Sequence, residues 1–185
     1  MPLSKEKHYT YDDYCQWDDG NRYELIEGIP YMMSPAPITV HQRISGRLHR
    51  EIADYLKGKT YEIFSAPFDV CLNGLGNDDD TVIQPDLCVI CNPSKIDDKG
   101  CNGAPDFVIE ILSPSTAKHD CFIKYHLYRS AEVREYWIVD PETKTIQMHI
   151  FETNRYNAAA YGDTEKISVH VLDDCEIYLK DIFEP

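Results

Sequence analysis

The spacing of apolar residues along the chain predicts a mixed α/β fold. Between residues 38 and 57 the apolar positions recur every three or four residues, which is typical of a helix with one buried face. Residues 107–112, by contrast, are almost continuously apolar, which is typical of a central strand that is covered on both faces. Further strand-like segments occupy residues 61–66, 68–72, 82–91, 135–139, 145–152 and 167–171.

Turn and capping residues indicate where the predicted helices and strands begin and end. Residues 22–33 alternate around Glu27-Gly28, which predicts an N-terminal β-hairpin. Thr10 is suited to cap a short leading helix over residues 9–16. Residues 113–116 (Ser-Pro-Ser-Thr) end the central strand and can cap a helix from about residue 117 to 130. With antiparallel strands near the C-terminus, and no repeat or linker, the chain reads as one α/β domain over residues 1–185.

Composition narrows the class of protein. With 43% hydrophobic and 27% charged residues, the chain is typical of a globular domain. No apolar run approaches the roughly 20 residues that cross a membrane, and the first residues lack the pattern of a signal peptide. The expectation is a cytoplasmic protein without a membrane partner.

The formal net charge of −14 counts against a general coat protein for nucleic acid, because phosphate contacts need Lys and Arg. A metal-dependent nuclease is less affected, since its ligands are carboxylates and the bound metal reverses the local field. A few ligands do not account for the whole acidic excess, so the charge still counts against DNA as a partner.

Cys88 and Cys91, followed by Cys101, raise the possibility of a zinc site among the seven cysteines. The pair lies in an apolar strand, however, where residues three apart face opposite sides. No second pair of cysteines or close pair of histidines completes a tetrahedral set. Buried thiols are therefore favoured over zinc.

Glu110 is the residue whose position calls for a chemical explanation. It lies in the middle of an apolar strand, where an ionised carboxylate is costly to bury without a partner. Its neighbours Ile109 and Ile111 point to the opposite face, while Asp86 begins a second apolar strand. Two carboxylates on adjacent strands suit a hard cation such as Mg²⁺. The alternative is that each carboxylate caps a turn or pairs with an arginine.

Lys124 is the candidate cation for this site. It lies four residues after Asp120 on the predicted helix, so the two side chains could form an ordinary surface ion pair. Alternatively, its stem runs along apolar surface and delivers the ammonium to the strand ends. There it would orient an attacking water or stabilise developing phosphate charge.

Several segments together resemble a known family. These are Gln-Pro-Asp-Leu at residues 84–87, Phe-Val-Ile-Glu-Ile-Leu-Ser-Pro-Ser-Thr at 107–116, Lys124 with Tyr128, and Glu-Tyr-Trp-Ile-Val-Asp-Pro at 135–141. Residues 23–28 and His41 match its usual opening. The sequence resembles the Uma-type endonuclease family of the PD-(D/E)XK, restriction-endonuclease-like group, over about residues 9–182.

The resemblance implies a mixed central sheet flanked by helices and one or two Mg²⁺ or Mn²⁺ ions. Asp86 and Glu110 match the two acids of the motif, and the main-chain carbonyl of Ile111 is a further metal ligand in such sites. Leu112 occupies the usual lysine position, so the lysine has moved to Lys124 on the helix.

Two further residues enter through the same resemblance. Glu24 matches a third acid near the metal, although exposure on the hairpin is the simpler interpretation. His41 lies one turn before Ile44 on the buried helix face, where most histidines are satisfied core residues. The roles of His41 and Asp120 stay open.

The leading functional hypothesis is a metal-dependent endonuclease that hydrolyses phosphodiester bonds in DNA. One alternative is a catalytically inactive nuclease-like domain used for binding or assembly, which Leu112 and the acidic charge favour. Another is a hydrolase of a smaller phosphate ester. A homodimer is expected by analogy with restriction-like folds alone.

Overall fold

The computed structural model describes residues 7–33, 38–74, 79–113, 120–152 and 155–184 of the 185-residue chain. Its helices are α1 (Tyr11–Tyr14), α2 (Thr39–Leu56), α3 (Tyr125–Ser130) and α4 (Leu179–Phe183). A π-helical turn, Asp120–Lys124, leads directly into α3, and a short 3-10 helix covers Pro93–Lys95. Within these described residues, no helix is both long and apolar enough to span a membrane.

The larger sheet has six strands and holds the centre of the fold. In spatial order its strands are β11 (Arg155–Gly162), β10 (Thr145–Glu152), β9 (Glu135–Asp140), β8 (Phe107–Ile111), β6 (Leu87–Ile90) and β3 (Glu62–Ser65). Strands β8 and β9 run parallel and the other neighbouring pairs run antiparallel. A parallel pair needs a crossover connection, and α3 lies in the segment that joins β8 to β9.

A second sheet begins with the predicted hairpin. In spatial order it contains β2 (Ile29–Met32), β1 (Tyr23–Ile26), β5 (Val82–Ile83), β4 (Val70–Cys71) and β7 (Cys101–Asn102). Glu27 and Gly28 form the two-residue turn with φ of 49° and 74°, the positive values that suit the right-handed twist of the hairpin strands. A separate two-stranded ribbon pairs β12 (Lys166–Ser168) with β13 (Glu176–Tyr178).

The segment 84–86 connects the two sheets. Strand β5 belongs to the smaller sheet, whereas β6, which starts at Leu87, belongs to the larger one. Pro85 cannot donate a ladder hydrogen bond, which suits the break between the two strands. Residues contributed by both sheets therefore meet around Gln84 and Asp86.

Alternation along β8 separates two hydrophobic clusters on the two faces of the larger sheet. Ile109 and Ile111 pack in one cluster with Leu48 and Ile52 of α2. Val108 packs in the other cluster, on the face covered by α3, together with residues such as Tyr128, Tyr136 and Ile138. Glu110 is separated from Val108 by two positions and so points to the α3 face, as the sequence predicted.

The two cysteines of the candidate zinc motif are likewise separated by the sheet. Cys88 is buried in the cluster on the α3 face, whereas Cys91 packs against the cluster on the α2 face. Two thiols on opposite faces of one sheet cannot share an ion, which supports the interpretation of these residues as core thiols.

The elements that the sequence predicted least well lie at the edges. Strand β11 was not predicted, because its Asn-Ala-Ala-Ala core lacks the β-branched residues typical of strands, and its pairing with β10 is what holds it extended. The strand expected at residues 167–171 is shorter and ends at Ser168. Residues 92–105, for which no element was predicted, contain the 3-10 helix and β7.

Candidate active site

Asp86 lies at the start of β6, next to the end of β8. The register pairs Leu87 with Ile109, so the next position along each strand places Asp86 beside Glu110. The backbone N–H of Ile111 donates to Asp86 Oδ2 over 2.8 Å, which holds the carboxylate at the end of β8. The side chain is about one-fifth exposed (22%), so solvent can reach it.

His41 contacts the same carboxylate oxygen. Its Nε2 lies 3.1 Å from Asp86 Oδ2, and the ring is buried at the N-terminal end of α2. Asp86 Oδ1 accepts no hydrogen bond from any residue in the described part of the chain. One oxygen of Asp86 is thus oriented by two contacts, and the other is available to an ion.

Glu110 is buried and receives two donors on a single oxygen. The Lys124 ammonium lies 2.9 Å from Glu110 Oε1, and the Tyr128 hydroxyl donates to the same atom over 2.6 Å. All three residues are at most 4% exposed. Charge-assisted hydrogen bonds of this kind make a buried carboxylate tolerable.

Glu24 completes the cluster from the N-terminal hairpin. Its Oε1 lies 3.0 Å from the Lys124 ammonium and accepts the backbone N–H of Gln84 over 3.0 Å. Glu24 is buried, so the simpler expectation of an exposed hairpin residue is wrong. Strand β1 and the helical segment after β8 therefore meet through one lysine.

The cluster carries a net negative formal charge. Three carboxylates (Glu24, Asp86 and Glu110) and one ammonium (Lys124) leave a formal charge of −3 + 1 = −2. Burial and the nearby Glu110 charge raise the pKa of Tyr128 well above its usual value. The Tyr128 hydroxyl therefore remains protonated and acts as a donor.

A network around Gln84 supports the site from the side of the smaller sheet. The Gln84 amide nitrogen donates to Asp69 Oδ1 over 2.7 Å and to the Tyr14 hydroxyl over 3.1 Å, and its oxygen accepts from Arg22. Sequence reasoning missed these residues. The signal that could have indicated them is Gln84, a polar amide that stands between the apolar strand β5 and Pro85-Asp86.

Asp86 and Glu110 are the carboxylates of the cluster that could hold a metal ion. Among the described residues, no group of three or more His, Cys, Asp or Glu side chains is arranged as a ready metal site. Mg²⁺, however, is commonly held by one or two carboxylates plus waters and substrate phosphate oxygens. Asp86, with one uncommitted oxygen, and Glu110, at the neighbouring position, meet that requirement.

Two further residues of the predicted site are Ile111, which the structure describes, and Asp120, whose side chain it does not describe. Ile111 ends β8 and its backbone N–H contacts Asp86, while the role of its carbonyl as a metal ligand stays a prediction. The side chain of Asp120 and residues 114–119, which include most of the Ser-Pro-Ser-Thr segment, lie outside the described residues. The catalytic and metal-binding roles of Glu24, Asp86, Glu110 and Lys124 stay predictions.

Comparison with known families places the chain in one of them. The family Uma2, described as "Putative restriction endonuclease", matches residues 11–180. The chain belongs to the Uma2 family. An uncharacterized protein of Synechocystis is 27% identical over 141 residues, which span 75% of this chain and 72% of that protein.

A solved structure shares the Uma2 architecture. It is the crystal structure of a protein from Anabaena variabilis described as a putative nuclease belonging to DUF820. The two chains superpose with a TM-score of 0.75 at 20% identity, covering 95% of this chain and 97% of the other. The likeness confirms the restriction-endonuclease-like mixed α/β fold. Uma2 membership and fold together support a nuclease function, in a group of enzymes that usually depends on a divalent metal.

Proposed function

We propose that this chain is a divalent-metal-dependent endonuclease that hydrolyses phosphodiester bonds in DNA. The observation that carries the proposal is the buried Lys124 ammonium, which contacts Glu24 and Glu110 beside the carboxylate of Asp86. Two carboxylates at neighbouring strand ends could hold the metal ion that activates a water molecule, and an ammonium beside them could stabilise the charge that develops on the phosphate.

Asp86 and Glu110 are assigned the metal, Mg²⁺ or Mn²⁺, together with the main-chain carbonyl of Ile111. When bound, the ion would polarise the phosphate and lower the pKa of a water molecule. His41 and the Ile111 N–H hold one oxygen of Asp86, which orients the carboxylate before any ion arrives. Such outer contacts normally orient metal ligands.

Lys124 is assigned the role of the motif lysine that Leu112 cannot fill. Leu112 and Lys124 belong to the same face of the larger sheet, because Leu112 packs in the cluster that α3 covers. From there the ammonium would orient the attacking water or stabilise the charge that develops on the phosphate. Glu24 is assigned as the third acid, and its carboxylate contacts the Lys124 ammonium at 3.0 Å.

DNA is proposed as the substrate, and the acidic net charge of −14 constrains how it binds. A net negative protein repels phosphate overall, so DNA binding would depend on local positive side chains and on the metal. We further propose a single nuclease domain over residues 1–185 that works in the cytoplasm as a homodimer. Light scattering of the purified chain measures the dimer directly.

Cleavage of supercoiled plasmid tests the activity. Protein with Mg²⁺ or Mn²⁺ is expected to give nicked product, and EDTA is expected to stop it. Glu110→Ala removes a proposed ligand and should abolish nicking, whereas Glu142→Gln, on an exposed turn, should not. Nicking that survives Glu110→Ala would assign the activity to a contaminant.

A second candidate, a catalytically silent binding or assembly domain, is favoured by one observation. Glu110 Oε1 already receives both Lys124 and Tyr128, so the cluster is satisfied as a purely structural network. Calorimetric titration of Mn²⁺ separates the two candidates. The nuclease requires saturable binding to the wild type that is lost in Asp86→Ala/Glu110→Ala. A wild type without such binding favours the silent domain.

A further inference from the structure

Arg22 lies at the edge of the candidate active site without belonging to it. It comes two residues before Glu24, so the two side chains lie on the same face of the extended chain. The backbone carbonyl of Arg22 accepts the N–H of Met33 over 2.8 Å, which continues the hairpin ladder to this position. Arg22 is exposed, whereas Glu24 is buried.

The guanidinium of Arg22 forms no ion pair with any residue in the described ranges. Its Nε donates to Gln84 Oε1 over 3.2 Å, and its Nη2 donates to the same neutral oxygen. Arg50 and Arg134, by contrast, contact the carboxylates of Glu51 and Asp106 at 3.0 and 3.5 Å. In a chain with 32 acidic and 18 basic residues, an arginine whose charge no carboxylate neutralises is notable.

Gln84 presents its oxygen to Arg22 because its nitrogen is already used. The amide nitrogen donates to Asp69 Oδ1 and to the Tyr14 hydroxyl, so both of its hydrogens have acceptors. The backbone N–H of Gln84 binds Glu24 Oε1. One residue thus orients the arginine and one of the site carboxylates together.

Most of the N–H donors of Arg22 have no acceptor among the residues that the structure describes. A guanidinium has five N–H donors, and the contact with Gln84 uses two of them. The remaining donors form a planar fork, which matches the geometry of a phosphate group. Two residues along an extended strand span about 6.6 Å, so the backbone of Arg22 lies about that far from the backbone of Glu24, which carries one of the site carboxylates.

We propose that Arg22 binds a backbone phosphate adjacent to the one that is cleaved. The subsite rests on the proposed nuclease function for its choice of ligand, a nucleic-acid phosphodiester. It gives an acidic protein a local positive charge at the site, held in place by an amide that does not neutralise it. A purely structural Arg22, which only anchors Gln84, is the competing explanation.

Salt-dependent DNA binding tests the subsite. Fluorescence anisotropy measures the Kd of a labelled duplex at several salt concentrations, with Ca²⁺ replacing Mg²⁺ and gels confirming that the duplex stays intact. Arg22→Met should weaken binding roughly tenfold and reduce the slope of log K against log salt by about 0.9, the value for one phosphate contact. Arg50→Met, which removes an exposed arginine elsewhere, is the matched control.

Arg22→Lys separates charge from anchoring. Lysine keeps the positive charge but loses the fork that grips Gln84, so it should recover most of the salt slope. A variant Arg22→Lys with the same slope as Arg22→Met, or an unchanged slope in Arg22→Met, would overturn the subsite. Circular dichroism confirms that both variants fold.

The outcome also distinguishes this inference from the nuclease proposal. A wild type that cleaves DNA, with Arg22→Met unchanged in Kd and slope, overturns the subsite alone. A wild type that binds DNA with an Arg22-dependent slope but cleaves nothing supports the subsite and contradicts the nuclease. A wild type that binds no DNA contradicts both.

Discussion

Lys124 and Glu24 form an ion pair of 3.0 Å in which both side chains are more than nine-tenths buried. One residue comes from the helical segment that follows the central strand, and the other comes from the N-terminal hairpin. Because a buried charge is tolerated only when it is paired, the contact couples the two regions energetically.

Lys124→Met is therefore expected to destabilise the fold. Methionine keeps most of the stem but leaves Glu24 and Glu110 buried together without their shared cation. Breaking a buried ion pair by removing one partner costs about 3–5 kcal/mol. Urea unfolding at pH 7.5 measures the loss.

The exposed lysine Lys57, which pairs with Asp54, provides the control for this prediction. Lys57→Met should change stability little, since solvent screens the pair. Lys124→Met/Glu24→Gln should recover part of the loss, because one of the two uncompensated carboxylates is gone. A single variant Lys124→Met as stable as wild type would contradict the geometry of the cluster.

Tyr128→Phe should cost about 1–3 kcal/mol, the usual penalty when a buried acceptor loses a donor. The hydroxyl donates to Glu110 Oε1 over 2.6 Å, and its raised pKa keeps the proton in place. The measurement is again urea unfolding. Tyr61→Phe, at a more exposed ring, should be close to neutral, and equal effects at both positions would argue against a special contact.

The sequence predicted the side of the sheet that carries the site, because alternation is a local property. The neighbours Ile109 and Ile111 placed Glu110 on the opposite face, and the structure confirms this. The segment after β8 was recognised as helical from its stop signal and periodicity. Lys124 could thus be assigned to a helix packed on that face.

Contacts between distant elements were beyond the sequence. Gln84 binds Arg22 across 62 positions and Tyr14 across 70, so no local pattern reports the network. His41 was assigned to the buried face of α2, but its contact with Asp86 depends on how that helix packs against the sheet. Sequence periodicity gives the face of an element and not its tertiary partner.

His149 is expected to make stability fall on acidification. Burial lowers the pKa of His149 below its usual 6.5, so the unfolded chain binds a proton that the folded chain resists. By linkage, the free energy of unfolding decreases as pH falls through 6.5 towards the folded pKa. Unfolding at pH 7.5 and 5.5 measures the change.

The variant His149→Phe isolates the contribution of His149 to the pH dependence of stability. His149 lies among aromatic rings, with Tyr125 at 5.1 Å and Phe151 at 6.2 Å between centroids, so His149→Phe suits the surroundings. The variant should lose less stability than wild type between pH 7.5 and 5.5. His126→Gln, at an exposed position, is the control for the loss of a histidine side chain. The same dependence in His149→Phe would assign the effect to other groups.

The position of the proposed catalytic ammonium, on Lys124 and not at residue 112, can be tested directly. Lys124→Met should lower any hydrolysis roughly 10²-fold or more, because it removes positive charge from the site where phosphate charge develops. Leu112 lies two residues after Glu110, and its N–H continues the ladder by donating to Val139 O over 2.8 Å. Its side chain packs in the cluster on the α3 face, the face to which Glu110 also points.

Adding Leu112→Lys to Lys124→Met should therefore restore part of the rate, since the cation returns from the strand in place of the helix. A lysine side chain reaches roughly 6 Å, enough to run along the apolar surface towards Glu110. Initial rates of plasmid nicking with Mn²⁺ measure the recovery, and Leu112→Met in the same background controls for repacking. If Lys124→Met/Leu112→Lys cleaves no faster than Lys124→Met/Leu112→Met, a returned ammonium does not restore hydrolysis. Lys124 then serves the fold rather than the reaction.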